Sequence, residues 1–224
     1  MMKFRAFPYA TPFFSLMLME KEDFLVKIHG YVCSDGGIYS SKCTDLHGRK
    51  LRTRRRLRVK FYNKEKALID DFINAVKKVR PDIKSLRYYP YRIEVEIRNH
   101  TLSKEILSLG KVWSHNWQFP ENLTEYQKKI WIRAFSDSEG TVNNQNYDRY
   151  IALDSVNFEG LKKVSDNLKE FGIDNKIYWF DKSRRARIKI SKKENLVRFK
   201  ETIGFEHPEK QAKLTSAIHS FKNK

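Results

Sequence analysis

The sequence predicts an α+β protein of two similar subdomains, each running α-β-β-α-β-β-α, that meet along a pair of central helices. Three observations carry this. Residues 26–38 (VKIHGYVCSDGGI) and 131–142 (WIRAFSDSEGTV) share one pattern, two small residues four apart followed by an acid and a glycine. These are Gly30, Ser34 and Asp35–Gly36 in the first stretch, and Ala134, Ser138 and Glu139–Gly140 in the second. The same order of elements follows each stretch, and the strands between them carry arginine and lysine on one face.

Residues four apart share a helix face. Small residues there let two helices approach almost to backbone contact, so Gly30, Ser34, Ala134 and Ser138 are expected to form the helix interface. A crossing at that point brings Asp35 and Glu139 together at one end, where two acids repel unless a cation lies between them. The pair is therefore a candidate metal site. An acid in the last turn of a helix is also mildly disfavoured by the helix dipole, which makes a purely structural role for both acids the weaker reading.

Composition sets the class of partner. The 224 residues are 40% hydrophobic and 13% aromatic, enough to bury a real core. The formal charge of +18, with a sequence pI of about 9.8, points to a polyanion. No apolar run is long enough for a membrane-spanning helix, so no membrane partner is expected. Cys33 and Cys43 lack the spacing of a zinc site and are expected to be free thiols in a reducing, intracellular setting. Residues 1–21 are expected to be an N-terminal extension packed on the domain, with 22–110 as the first subdomain, 111–123 as a linker and 124–224 as the second subdomain.

In chain order, residues 38–50 predict a strand. Residues 51–61 (LRTRRRLRVKF) predict a second, whose period of two places Arg52, Arg54, Arg56, Arg58 and Lys60 on one side. An amphipathic helix is predicted over 63–80, ended by Pro81, then strands over 83–89 and 91–98 and a short helix over 101–109. In the 91–98 strand, Arg92, Glu94, Glu96 and Arg98 share a face. Thr124 and Gln127 form a capping box that opens the second central helix. There follow a hairpin within 141–154, a helix over 157–171, strands over 176–180 and 186–190, a helix capped by Ser191 and Glu194, and a last helix over 208–221. Arg185, Arg187 and Lys189 share one strand face. The halves differ in spacing, 104 residues from Asp35 to Glu139 but 93 from Ile97 to Ile190, which assigns a longer hairpin to the first half.

IHGYVCSDG (28–36) and IRAFSDSEG (132–140) resemble the two copies of the nine-residue motif of the LAGLIDADG homing endonucleases. With the repeated element order, the resemblance covers residues 22–221. His29 and Arg133 replace a usually small residue, Ala134 stands where the first copy has Gly30, and Cys33 takes an often acidic position; these bear on packing. The resemblance implies two antiparallel sheets forming a saddle over DNA and a monomer with internal pseudo-twofold symmetry. It also implies an intron-encoded, site-specific double-strand DNA endonuclease.

The same resemblance makes Asp35 and Glu139 the ligands of Mg²⁺, which Ca²⁺ or Mn²⁺ would replace in vitro, with the backbone carbonyls of Ser34 and Ser138 as helpers. Asn63 sits where a glutamine is common, its counterpart lying within 155–157. Arg98 and Lys192, each just after a final strand, are candidates for a catalytic cation. Cationic strand faces lying in the major groove make Arg52, Arg54, Arg56, Arg58, Lys60, Arg92, Arg185, Arg187 and Lys189 the DNA-binding set. Glu94 and Glu96 either accept from cytosine amino groups or orient the arginines. Two competing readings are an RNA-splicing maturase bound to intron RNA and a non-catalytic DNA-binding regulator.

Overall fold

A computed structural model describes residues 19–47, 50–145 and 148–221, with the side chains of 45–47 and 50–52 left out of the description. Most of the expected N-terminal extension (residues 1–18) thus lies outside the described residues. Helix α1 (Lys21–Asp35) opens on a capping box between Glu20 and Asp23 and passes straight into the hairpin β1 (Gly36–His47) and β2 (Lys50–Tyr62). Helix α2 (Lys66–Val79) follows, then β3 (Leu86–Tyr89), β4 (Glu94–Ile97) and α3 (His100–Leu109). The second half repeats the order: α4 (Glu125–Glu139), β5 (Gly140–Gln145), β6 (Asp148–Ser155), α5 (Phe158–Glu170), β7 (Lys176–Phe180), β8 (Arg185–Ser191) and α6 (Lys193–Thr202). An added helix, α7 (Pro208–His219), ends the described chain.

The strands form two four-stranded antiparallel sheets of equivalent topology, β1-β2-β4-β3 and β5-β6-β8-β7. Gly36 pairs with Phe61, and Gly140 with Leu153, so corresponding residues begin each hairpin. The spacing shortfall lies in the first hairpin, whose strands of 12 and 13 residues compare with 6 and 8 in the second. Beyond the sheet's other strands this arm has two open faces. Arg55, placed by periodicity on the apolar side, is as exposed as Arg54 and Arg56.

α1 and α4 cross at the centre of the core. A Cβ on Gly30 would stand 2.9 Å from the Trp131 carbonyl oxygen and 3.1 Å from Ala134 Cβ, so only hydrogen fits there. One turn further on, Ser34 turns its hydroxyl back to the carbonyls of Gly30 and Tyr31, and Ser138 lies at the acid end of α4. On either side, Tyr31, Phe61 and Phe72 cluster in the first half, and Trp117, Trp131 and Phe135 in the second. Trp117 belongs to the connecting segment, which is therefore part of the core. Its indole donates to Ser155 Oγ, and its carbonyl accepts from Asn157.

Two expected elements differ. The segment read as a strand over 91–98 begins with a 3-10 turn at Pro90–Arg92 and a left-handed Ile93 (φ 49°) before β4 starts. Arg92 is consequently an exposed turn residue, its guanidinium over the Tyr89 ring, rather than a strand residue. Ser191 ends β8 instead of capping α6, where the N-cap residue is Lys192 with φ 74°.

Candidate functional site

Each motif helix hands over to its strand without a loop, which explains the acid–glycine pairing. A Cβ on Gly36 would sit 2.7 Å from the Lys60 carbonyl oxygen, and one on Gly140 would collide with that of Ser136. The glycines make the turn, and Asp35 and Glu139 become the last side chains of α1 and α4.

The two acids stand close enough to feel one another. Burial pushes the Glu139 carboxyl up to about 7, and the negative charges of Asp35 and Asp154 add to the effect against the pull of Lys210. Burial also raises Asp35, partly offset by the Asn63 amide, the Lys210 ammonium and the Ser138 hydroxyl. Asn63 Nδ2 donates to Asp35 Oδ2 at 2.9 Å, while its own Oδ1 accepts from Glu65 N as α2 begins. Asn63 therefore fixes one carboxylate oxygen of Asp35. Its counterpart is Ser155, whose Oγ accepts from Asn157 N in the same way, although Ser155 is engaged by Trp117.

Among the described residues no three His, Cys, Asp or Glu side chains gather into a closed metal cage. The donor set is instead two carboxylates, hard oxygen ligands whose pKa values are raised first by burial and, at Glu139, also by the neighbouring negative charges of Asp35 and Asp154. These residues fit a magnesium-like ion. The Ser138 carbonyl, expected as a helper, already accepts from Lys210 Nζ at 3.1 Å. Lys210 arrives from α7 and no motif in the sequence points to it.

Arg98 and Lys192 are not brought to the acids. β4 and β8 start at the acid end, where Tyr62 pairs with Glu94 and Asp154 with Arg187, and then run away from it. Residues just after these strands lie at the opposite end, roughly 13 Å and 17 Å along the strand at about 3.3 Å per residue. Arg98 is held there by Glu96 at 2.6 Å, and Lys192 is exposed. The cation that register does place near Glu139 is Arg187, bound through two nitrogens to Asp154 at 2.8 and 2.9 Å.

On the exposed sheet faces the charges are partly paired. Lys60 donates to Glu94 at 2.7 Å, and Glu96 gathers Arg58, Lys60 and Arg98. Glu94 and Glu96 are buried, which assigns them to orienting these cations rather than to accepting from cytosine. In the second sheet the signs are exchanged between strands: β8 supplies Arg187 and Lys189, and β6 supplies Asp154 and Asp148. Aromatic rings lie beside the cations, with Lys189 over Tyr150 at 4.2 Å, Arg185 and Arg187 near Phe180, and Lys60 near Tyr39 and Tyr62. The Arg52 side chain lies outside the described residues.

The class of protein follows from this fold and acid pair together with the comparisons. Residues 127–204 match the family model of the LAGLIDADG-like domain. The chain is similar in structure to the homing endonuclease I-DmoI in complex with DNA and Ca, at 18% identity and TM-score 0.64, over 88% of this chain and 100% of that one. I-DmoI in complex with DNA and Mn matches at 18% identity and TM-score 0.60, over 83% and 98%. The N-terminal LAGLIDADG domain of DUF199/WhiA matches at 12% identity and TM-score 0.52, over 94% and 87%. No curated protein matches the sequence. The protein thus has the two-sheet LAGLIDADG fold expected from its paired motifs, with a LAGLIDADG-like domain in its second half.

Proposed function

We propose that the protein is a monomeric, site-specific DNA endonuclease that cuts both strands of a long asymmetric target, using divalent metal held by Asp35 and Glu139. The observation that carries this reading is the retention of both acids, side by side at the ends of crossed helices. Asp35 and Glu139 would hold the ion, which would supply an acidified water and charge stabilisation for the leaving 3′ oxygen. Asn63 orients the Asp35 carboxylate, and the glycines behind each acid hold both carboxylates at the helix ends. The cationic sheet faces grip phosphates and present side chains to base edges. Mg²⁺ is the ion of choice for an all-oxygen site open to water. The complexes of I-DmoI with DNA and with Mn or Ca support the substrate class and the use of a divalent ion.

The test is cleavage selection on a long randomised DNA library with Mg²⁺, followed by sequencing of the ends. Paired cuts a few base pairs apart at one site are expected, absent with EDTA and in Asp35→Asn and Glu139→Gln, both of which retain DNA affinity. Tight binding to one DNA site without cutting would convert the protein into a regulator, and binding confined to structured RNA would make it a maturase.

A further inference from the structure

We propose that Lys210 is a built-in cation of the acid site, a positioning residue that clamps the last carbonyls of α4 and holds a fixed positive charge beside Glu139 and Asp35. Its Nζ lies 2.5 Å from the carbonyl oxygen of Asp137, 3.1 Å from that of Ser138 and 3.5 Å from that of Ser136. An ammonium has three protons to donate, and the end of a helix leaves carbonyls in need of donors. Burial lowers the pKa of this ammonium, and the negative charges of Asp137, Asp35 and Glu139 pull the other way.

The placement of Lys210 on its own helix indicates which element it serves. It stands in the first turn of α7, three residues after the His207 N-cap, where a cation opposes the helix dipole. At the C-terminus of α4 the same charge is favourable. The junction is fastened independently: Asp137 Oδ1 accepts from the backbone N–H groups of Glu206 and His207 at 2.9 and 3.0 Å. α7 is thereby held with Lys210 aimed at the end of the second motif.

Two consequences follow for the proposed metal site, on whose reading this inference rests. The Ser138 carbonyl already accepts from Lys210, so an ion approaching its second lone pair would stand beside a cation. An incoming divalent ion also meets a like charge, so Lys210 holds the acid pair together without metal and weakens the binding of metal.

The experiment is Mn²⁺ binding to the full chain, read by electron paramagnetic resonance of free Mn²⁺, alongside thermal unfolding without metal. Lys210→Met is expected to bind Mn²⁺ on the order of tenfold more tightly, as removal of a nearby like charge requires, and to unfold at lower temperature without metal. Lys210→Arg, which keeps the charge, stays within about twofold of wild type. Lys210→Gln carries the same comparison if the methionine variant does not fold. Neutral variants that bind Mn²⁺ no more tightly than wild type, while Asp35→Asn abolishes binding, would leave the acid site standing and reduce Lys210 to a helix cap. Mn²⁺ binding indifferent to Asp35→Asn and Glu139→Gln would overturn the acid-site reading and this inference together.

Discussion

Trp131 donates its indole N–H to His29 Nδ1 at 2.9 Å across the crossing of α1 and α4, and His29 Nε2 faces the Gly110 carbonyl at 3.3 Å. The first contact needs an unprotonated Nδ1 and the second a protonated Nε2, so the geometry assigns one neutral tautomer. The ring is fully buried in the interface that carries the two acids.

A pH dependence follows from that bond. Burial lowers the His29 pKa to about 4 from 6.5, with a smaller opposite pull from the Gly110 carbonyl. The unfolded chain takes up this proton below pH 6.5, whereas the folded chain does so only near pH 4. The stability that depends on neutral His29 is full above pH 6.5 and falls by roughly 3 kcal/mol as pH drops toward 4. Asp137 and Glu139, both raised to about 7, act with the opposite sign. The quantity to measure is therefore the difference in unfolding free energy between wild type and His29→Gln across this range. A difference independent of pH would contradict the buried neutral imidazole.

Gly30→Val is expected to destabilise the protein by about 1–3 kcal/mol, the range for overpacking a tight contact, and more if the crossing cannot widen. The obstruction is the Trp131 backbone carbonyl, 2.9 Å from a Cβ at this position, and backbone cannot rotate aside as a side chain can. Urea unfolding measures the loss. A valine variant as stable as wild type would mean that the helices do not cross here.

The central helices, the repeated order of elements and the long first hairpin are legible in the sequence because each is a local pattern or a difference in spacing. His29, marked in the sequence as a departure that bears on packing, packs in the structure against Trp131. Other features depend on direction and distance. Arg98 and Lys192 follow the right strands, but an antiparallel partner starting at the acid end carries its last residue away from it. Tyr91, Ile93, Val95 and Ile97 alternate like a strand, yet Ile93 is left-handed, a conformation that its branched side chain gives no reason to expect. Lys210 is one of many lysines, and only the packing of α7 against the second motif singles it out.

Lys27 is equally inconspicuous in sequence, and its removal is expected to be costly. It is buried on α1, with Nζ 2.8 Å from Asp71 of α2 and 2.9 Å from Glu206, and Tyr31 donates to the same Asp71 at 2.8 Å. Desolvation opposes its charge, but the two carboxylates outweigh that and raise its pKa. Lys27→Met leaves half-buried Asp71 without its cation and Glu206 with Arg133 alone at 3.6 Å, and should cost about 3–5 kcal/mol. The double variant Lys27→Met with Asp71→Asn should recover part of that loss. Equal stability of Lys27→Met and wild type in urea would show the network to be dispensable.

The basic residues of the sheets should contribute unequally to DNA affinity. Arg54 is exposed on the long hairpin, whereas Lys60 is half-buried with its ammonium 2.7 Å from Glu94. A cation that meets phosphate releases counterions and adds about 0.9 to the slope of log K against log salt. A cation already neutralised by a carboxylate releases fewer, because the protein has supplied its counterion. Arg54→Ala should thus lower the slope by close to that amount, and Lys60→Ala by well under half of it. Lys60→Ala should instead destabilise the fold, since Glu94 is buried and loses its closest cation. Fluorescence anisotropy with duplex DNA at several salt concentrations separates the two effects. Equal slopes for both variants would mean that the Lys60–Glu94 pair opens to phosphate in the complex.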